Sequence, residues 1–118
     1  MSKKYFTSEE ANLRLPLVKR IVNDILTKGK KFKAIGGIES SQEKDTLILE
    51  IENHIRELEE LGCQFKDWNF EIGLVDFPTL IDGREAMLCW RSDEPEVEWY
   101  HDLMEGYAGR KPLAKSLK

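Results

Sequence analysis

The chain has 118 residues, of which 41% are hydrophobic and 34% charged, so we expect one globular domain over residues 1–118 and exclude a disordered chain. The net charge of −4 argues against binding to nucleic acid or to a membrane surface by bulk charge, and no apolar run is long enough to span a bilayer. Because Lys3 and Lys4 lead into a polar helix start rather than a signal peptide, and two cysteines are too few for a disulfide framework, the expected location is cytoplasmic.

The first predicted element is a helix that begins at Thr7. Thr7 and Glu10 have the spacing of a capping box, and a stripe of apolar residues follows at helical spacing. The stripe consists of Ala11, Leu15, Val18, Ile21, Val22, Ile25 and Leu26. Pro16 lies inside the pattern and should kink the helix without ending it, because the stripe continues in phase. The predicted end is near Gly29, or a turn or two later.

A second helix is predicted from about Asp45 to Leu61, after a break at Gly36 and Gly37, with Gly62 as its left-handed stop. Its apolar face comprises Leu47, Ile48, Ile51, Ile55, Leu58 and Leu61. Two amphipathic helices joined by a short glycine turn predict a long antiparallel hairpin over about residues 7–62.

Three leucines lie outside the two apolar stripes. They are Leu13, Leu17 and Leu49. Because they are apolar, we expect these leucines to be covered by the sheet or by a second subunit. The first helix is also longer than one small sheet can cover, so either its ends are exposed or a second subunit covers them. The prediction is a homo-oligomer, most simply a dimer.

The β-rich part is predicted over about residues 63–113, followed by a basic tail at 114–118. Short extended segments are expected at 63–65 and 74–77, and Pro78 should stop the second of them. Asp82 and Gly83 predict a tight turn before the clearest strand, residues 85–91, which is followed by a turn at 92–95 and a last strand near 97–100. The predicted fold class is therefore α+β, a helical hairpin followed by a small antiparallel sheet.

Six charged or titratable residues of this part form a candidate ligand or partner cluster. They are Asp76, Arg84, Arg91, Glu94, His101 and Arg110. Each lies at a predicted strand end or in a turn, and such positions converge in a small sheet. We expect at least three to form one hydrogen-bonded cluster, with an arginine paired to Asp76 or Glu94 and His101 nearby as the pH-sensitive member. The rival interpretation is that the arginines separately brace loops.

A metal site would need two or three partners for His101. Asp76, Cys89, Glu94 and Asp102 are candidates, but no known motif has their spacing. Cys89 is more typical of a small buried apolar residue. We therefore assign no metal, no cofactor and no catalytic residue from the sequence.

Eight segments distributed over nearly the whole chain resemble an uncharacterised family of small bacterial proteins, the domain-of-unknown-function family numbered 2203. The segments are YFTSEEAN (5–12), LPLV (15–18), ELGC (60–63), GLVDFP (73–78), DGRE (82–85), LCWR (88–91), EPE (94–96) and GRKPL (109–113). The second half carries the specific part of the resemblance. It implies a bacterial origin and a shared surface built from these motifs, without an assigned activity.

Two functional hypotheses follow. The favoured one is a structural or protein-interaction module that dimerises through its hairpin and carries a partner surface on its sheet, because no nucleophile motif and no cofactor loop is present. The alternative is a small enzyme or anionic-ligand-binding protein with its site in the β-rich half. Nucleic acid is not an expected partner, because Phe32 is the only aromatic residue interleaved with the basic residues near 28–33. A pocket that holds His101 with two of the charged groups would favour the alternative.

Overall fold

The computed structural model describes residues 4–35, 41–67 and 69–113. Two helices, α1 (Ser8–Ile35) and α2 (Gln42–Glu60), precede one antiparallel sheet whose strand order follows the chain. The strands are β1 (Gln64–Phe65), β2 (Leu74–Ile81), β3 (Arg84–Arg91), β4 (Trp99–Asp102) and β5 (Lys111–Pro112), with a 3-10 turn at Tyr107–Gly109. The α+β prediction is confirmed, whereas the predicted break at Gly36 and Gly37 and the tail at 114–118 lie outside the described residues.

Helix α1 begins with the predicted capping box. The Thr7 hydroxyl accepts a hydrogen bond from the Glu10 N–H at 3.1 Å, and the Glu10 carboxylate accepts one from the Thr7 N–H at 3.0 Å. The helix continues through Pro16 and past Gly29 to Ile35. At Gly29 a Cβ atom would lie 2.3 Å from Cγ of Phe70, so this glycine allows the loop before β2 to approach the helix closely.

Helix α2 begins at Gln42, three residues before the predicted start, because the Ser41 side chain caps it by accepting a hydrogen bond from the Lys44 N–H at 3.1 Å. Gly62 has φ of 94° and is the left-handed stop that the sequence predicted. Ile48 was assigned to the buried face, and this is wrong, since its side chain is exposed. At about 100° per residue it lies at the margin of the stripe rather than at its centre, where Ile51 and Leu58 are buried.

The sheet does not cover the three off-stripe leucines. Leu13, Leu17 and Leu49 are 76%, 44% and 62% exposed. Leu13 and Leu17 lie on either side of the buried Leu15, so they are exposed because they belong to another face of the helix and not because the sheet ends short of them. Cover by a second subunit stays a prediction.

Strand β2 continues through Pro78 to Ile81, so the prediction that Pro78 would stop it is wrong. The Pro78 carbonyl accepts a hydrogen bond from the Phe6 N–H at 2.7 Å, on the side of β2 that faces away from β3. In a strand the N–H and C=O of one residue point to the same side, so the missing N–H removes no bond to β3. Strand β1 does not extend to the level of Pro78, because its two residues pair only with Val75 and Asp76.

The two faces of the sheet have different surroundings. One face packs on the helices through a core that contains Val75, Phe77, Leu88 and Trp90. Asn12 of α1 is fixed to the segment before β4, because its side-chain oxygen accepts a hydrogen bond from the Val97 N–H at 2.7 Å. Side chains at alternate positions point to the opposite face, which faces away from α1 and α2, lies under the segment that joins β4 to β5, and is called the helix-free face below.

The predicted turn between β2 and β3 is confirmed. Asp82 and Gly83 have φ of 52° and 78°, the two positive values of a tight two-residue hairpin turn. The register that follows from it pairs Ile81 with Arg84 at the turn and Asp76 with Cys89 farther along.

Candidate functional site

A cavity of about 480 Å³ lies on the helix-free face of the sheet. Asp76 and Cys89 are cross-strand partners, and Met87 is the partner of His101, so all four side chains lie on this face. They form the floor of the cavity, and residues 103 and 105–107 of the β4–β5 connection form part of its wall. A concave space with a few convergent polar groups is the usual form of a small-molecule site.

Three side chains on the floor, which we call the Asp76 cluster, comprise Asp76, Cys89 and His101. Their potential ligand atoms all lie within 4.8 Å of one another, and all three residues are buried. Asp76 Oδ2 lies 3.0 Å from His101 Nε2, and His101 Nδ1 lies 2.8 Å from the backbone oxygen of Asp102. A carbonyl oxygen only accepts, so Nδ1 carries a proton and Nε2 faces Asp76.

Burial controls the protonation of the Asp76 cluster. Burial raises the pKa of Asp76, and the charges of His101 and Lys66 lower this pKa by less than burial raises it. Burial also raises the pKa of the Cys89 thiol to about 12, and the negative charge of Asp76 adds to this effect. A thiol that stays protonated at neutral pH is a poor nucleophile, so the arrangement does not support covalent catalysis by Cys89.

A second group, which we call the arginine cleft, comprises Arg91, Glu94, Trp99, Tyr107 and Arg110 around a space of about 310 Å³. Arg110 donates a hydrogen bond to one oxygen of Glu94, and the Arg91 backbone N–H donates to the other at 2.7 Å. The Arg110 guanidinium lies 4.4 Å from the centre of the Trp99 ring and 5.0 Å from that of Tyr107. Tyr107 lines both the cleft and the cavity, so the two spaces adjoin.

The Arg110 side chain is 9% exposed, yet its hydrogen bonding is incomplete. Its Nε and Nη1 atoms are buried and have no hydrogen-bond partner among the residues that the structure describes. The side chain of Arg91, by contrast, is engaged by Asp93 at 2.6 Å and by the Tyr107 hydroxyl. Arg110 is therefore a cation of the cleft that is paired through one nitrogen only, with two nitrogens that have no acceptor in the described part of the chain.

The structure brings together five of the six predicted site residues in two adjoining groups. The predicted pairing of an arginine with Glu94 is present, whereas His101 pairs with Asp76 in the cavity. Arg84 is placed elsewhere, because it follows the exposed turn, five register positions or about 17 Å from the Asp76–Cys89 pair. That these groups bind a ligand or a partner stays a prediction.

Sequence reasoning named Cys89 only as a possible metal partner of His101, and it left Cys89, Trp99 and Tyr107 out of the candidate cluster. A signal for Cys89 is present, because strand β3 is apolar on both faces, with Met87 and Cys89 alternating with Leu88 and Trp90. Such a strand is covered on both sides, which indicates a second covered surface opposite the helices. Tyr107 gives no comparable signal, since it lies in an irregular segment.

Comparison with known proteins gives one positive finding. Searches of curated proteins and of solved structures find no match to this chain. A family model described as "Uncharacterized conserved protein (DUF2203)" matches residues 4–113, which includes both helices, all five strands and the two candidate groups. None of the helices within residues 4–35, 41–67 and 69–113 is long and apolar enough to cross a membrane. By its match to the family model, the chain belongs to the DUF2203 family of uncharacterised conserved proteins.

Proposed function

We propose that this protein binds a small anionic molecule on the helix-free face of its sheet, in the cavity above the Asp76 cluster and the adjoining arginine cleft. The observation that carries the proposal is the cavity itself, about 480 Å³ in volume, with a buried titratable pair on its floor. Burial of ionisable groups is costly, and buried pairs that line a cavity are more common at binding sites than in ordinary cores.

The cations of the two spaces are the groups that would hold an anion. Lys66 lines the cavity beside two acidic side chains, whereas Arg91 and Arg110 line the cleft beside one, so the net positive charge lies at the cleft. Arg110 retains two buried nitrogens without acceptors, so a carboxylate or phosphate that reached them would complete its hydrogen bonding. The proposal is one of binding, and the raised pKa of Cys89 disfavours a free thiolate nucleophile in the metal-free cluster.

The test is a titration of the ¹⁵N-labelled protein with phosphate, succinate and citrate, followed by amide chemical shifts. We expect at least one probe to shift amides of β3, β4 and residues 103–110 but not those of the helices. Arg110→Gln should weaken that binding by about 10–100-fold, the worth of a charge-assisted hydrogen bond. Arg84→Gln is the matched control and should bind as the wild type does. Unchanged affinity in a folded Arg110→Gln variant, or shifts confined to the helices, would contradict the proposal.

Self-association is the second candidate function, and the exposed leucines favour it. Leu13, Leu17 and Leu49 present apolar surface on the hairpin that the sheet does not cover. We propose that a second copy of the chain covers part of this surface and that the dimer is the form that meets a protein partner. Sedimentation over a range of concentrations should show a dimer, and Leu13→Glu with Leu17→Glu should give a monomer. A wild-type protein that stays monomeric at every concentration would contradict the proposed self-association.

The compartment proposed for either function is the bacterial cytoplasm. Both cysteines are free and buried, as is usual for proteins kept in a reducing compartment. A fractionation of the source cells with an antibody to the protein tests this location.

A further inference from the structure

The Asp76 cluster offers a divalent metal ion three ligands of different type. Asp76 supplies a carboxylate, Cys89 a sulfur and His101 a ring nitrogen, from strands β2, β3 and β4. In a tetrahedral zinc site, bonds of about 2.0–2.3 Å place ligand atoms about 3.3–3.6 Å apart. The atoms here lie within 4.8 Å of one another, and the closest printed pair, Asp76 Oδ2 and His101 Nε2, is 3.0 Å apart. Only small side-chain shifts would be needed to hold an ion between them.

His101 already has the hydrogen bond that metal-bound histidines usually make. Its Nδ1–H donates to the backbone oxygen of Asp102 at 2.8 Å, which fixes the ring and leaves Nε2 directed at the other two ligands. The backbone of β4 supplies this bond, so the orientation of the ring does not depend on a mobile side chain. The cluster therefore has both a set of ligands and an outer-shell partner.

The combination of ligands selects among metals. Magnesium and calcium take oxygen ligands, so a thiolate with an imidazole disfavours them. Zinc accepts sulfur, nitrogen and carboxylate oxygen in one tetrahedral site. Three protein ligands leave a fourth position, and all three residues line the cavity, so that position faces the space where a ligand would lie.

We propose that Asp76, Cys89 and His101 bind one zinc ion, whose fourth position faces the cavity. The three protein ligands stand on their own geometry, whereas an anion as the fourth ligand rests on the proposed function. That group would be an oxygen of the bound anion or a water molecule.

The charges and protons of this site balance. When zinc binds, the Cys89 thiol loses its proton to solvent, and a proton held between Asp76 Oδ2 and His101 Nε2 is also released to solvent. His101 keeps the proton on Nδ1. A thiolate and a carboxylate then neutralise the two positive charges of zinc, so the buried centre carries no net charge. The rival explanation is a purely structural, metal-free pair in which Asp76 and His101 hydrogen-bond and the thiol donates to Asp76.

Cobalt(II) is the probe that separates these two explanations, because a cobalt–thiolate bond absorbs in the near ultraviolet. We expect the metal-stripped wild-type protein to bind one equivalent of Co²⁺ with this absorption, and zinc to displace it. Cys89→Ser should lose the absorption, and His101→Gln or Asp76→Asn should weaken binding by at least about 100-fold, the upper end of the cost of losing an outer-shell partner. Cys63→Ser is the matched control, because Cys63 is the other buried free cysteine and should leave the titration unchanged.

Failure of the folded wild-type protein to bind Co²⁺ with thiolate absorption overturns the metal site, whatever the variants do. Absorption that persists in Cys89→Ser and disappears in Cys63→Ser overturns the assignment of the ligands. The anion titration on metal-stripped and on zinc-loaded protein keeps the two proposals apart. Anion binding without cobalt absorption contradicts only the metal site, and cobalt absorption without anion binding contradicts only the proposed function.

Discussion

Replacement of Leu58 by alanine tests the packing of the hairpin on the sheet. Leu58 lies near the C-terminal end of α2 and is fully buried, in the core that also contains Leu15, Cys63 and Phe65. The change removes three carbon atoms without introducing a polar group, so the loss of stability measures packing alone.

The expected loss follows from this burial. Three buried carbon atoms at about 0.8 kcal/mol each account for about 2.4 kcal/mol of transfer free energy. The cavity left behind adds to this, so Leu58→Ala should lower the free energy of unfolding by about 3–4 kcal/mol. For a chain of this length each kcal/mol lowers the melting temperature by about 4 °C, which predicts a decrease of about 12–16 °C.

Thermal unfolding followed by circular dichroism measures the effect, with Leu49→Ala as the matched control on the same helix. Leu49 is 62% exposed, so its replacement should change the free energy of unfolding by less than about 0.5 kcal/mol. Melts at two protein concentrations detect stabilisation by a dimer, which makes the melting temperature depend on concentration. Equal effects of the two substitutions would show that α2 does not pack on the core as described.

Three further predictions concern the local structure of α1. Thr7→Ala should cost about 1 kcal/mol through the lost cap, as measured by urea unfolding. Hydrogen bonds from Lys4 and from the Thr7 N–H lower the pKa of Glu10 to about 2. Their contribution to the stability of the fold is therefore present above pH of about 4.5 and is lost as the pH falls towards 2. Glu10→Gln should abolish this part of the dependence of stability on pH. Gly29→Ala should destabilise by about 1–3 kcal/mol in a thermal melt, because the new Cβ would overlap the Phe70 ring, despite the better helix propensity of alanine. A neutral or stabilising Gly29→Ala would contradict the close approach.

The helices could be predicted from the sequence because their signals are local. The cap at Thr7 and the stop at Gly62 depend on residues within one turn, and both are confirmed. The start of α2 was misplaced because Ser41 is followed by polar residues, so its cap precedes the apolar pattern by a turn. The behaviour of Pro78 could not be predicted, because it depends on where β1 ends and where Phe6 lies, which are facts of tertiary structure.

The candidate site was predictable as a list of residues but not as an arrangement. Arginine, glutamate and histidine attract attention by their chemistry alone, which is why Arg84 was included although it lies beside an exposed turn. Cys89 joins the cluster through its pairing with Asp76 across thirteen positions of sequence, and no spacing motif encodes that pairing. Tyr107 reaches the site through an irregular segment, whose path local sequence patterns do not specify.

The turn at Asp82 and Gly83 has a consequence well beyond its own position. Asp76 lies six residues before Asp82 and Cys89 six residues after Gly83, so the equal length of the two arms is what places carboxylate and thiol side by side. Inserting or deleting a single residue in one arm would invert the alternation of side chains there and carry one of the two groups through to the helix-packed side. An exposed two-residue loop with no chemistry of its own thus determines which functional groups can meet on the far part of the sheet.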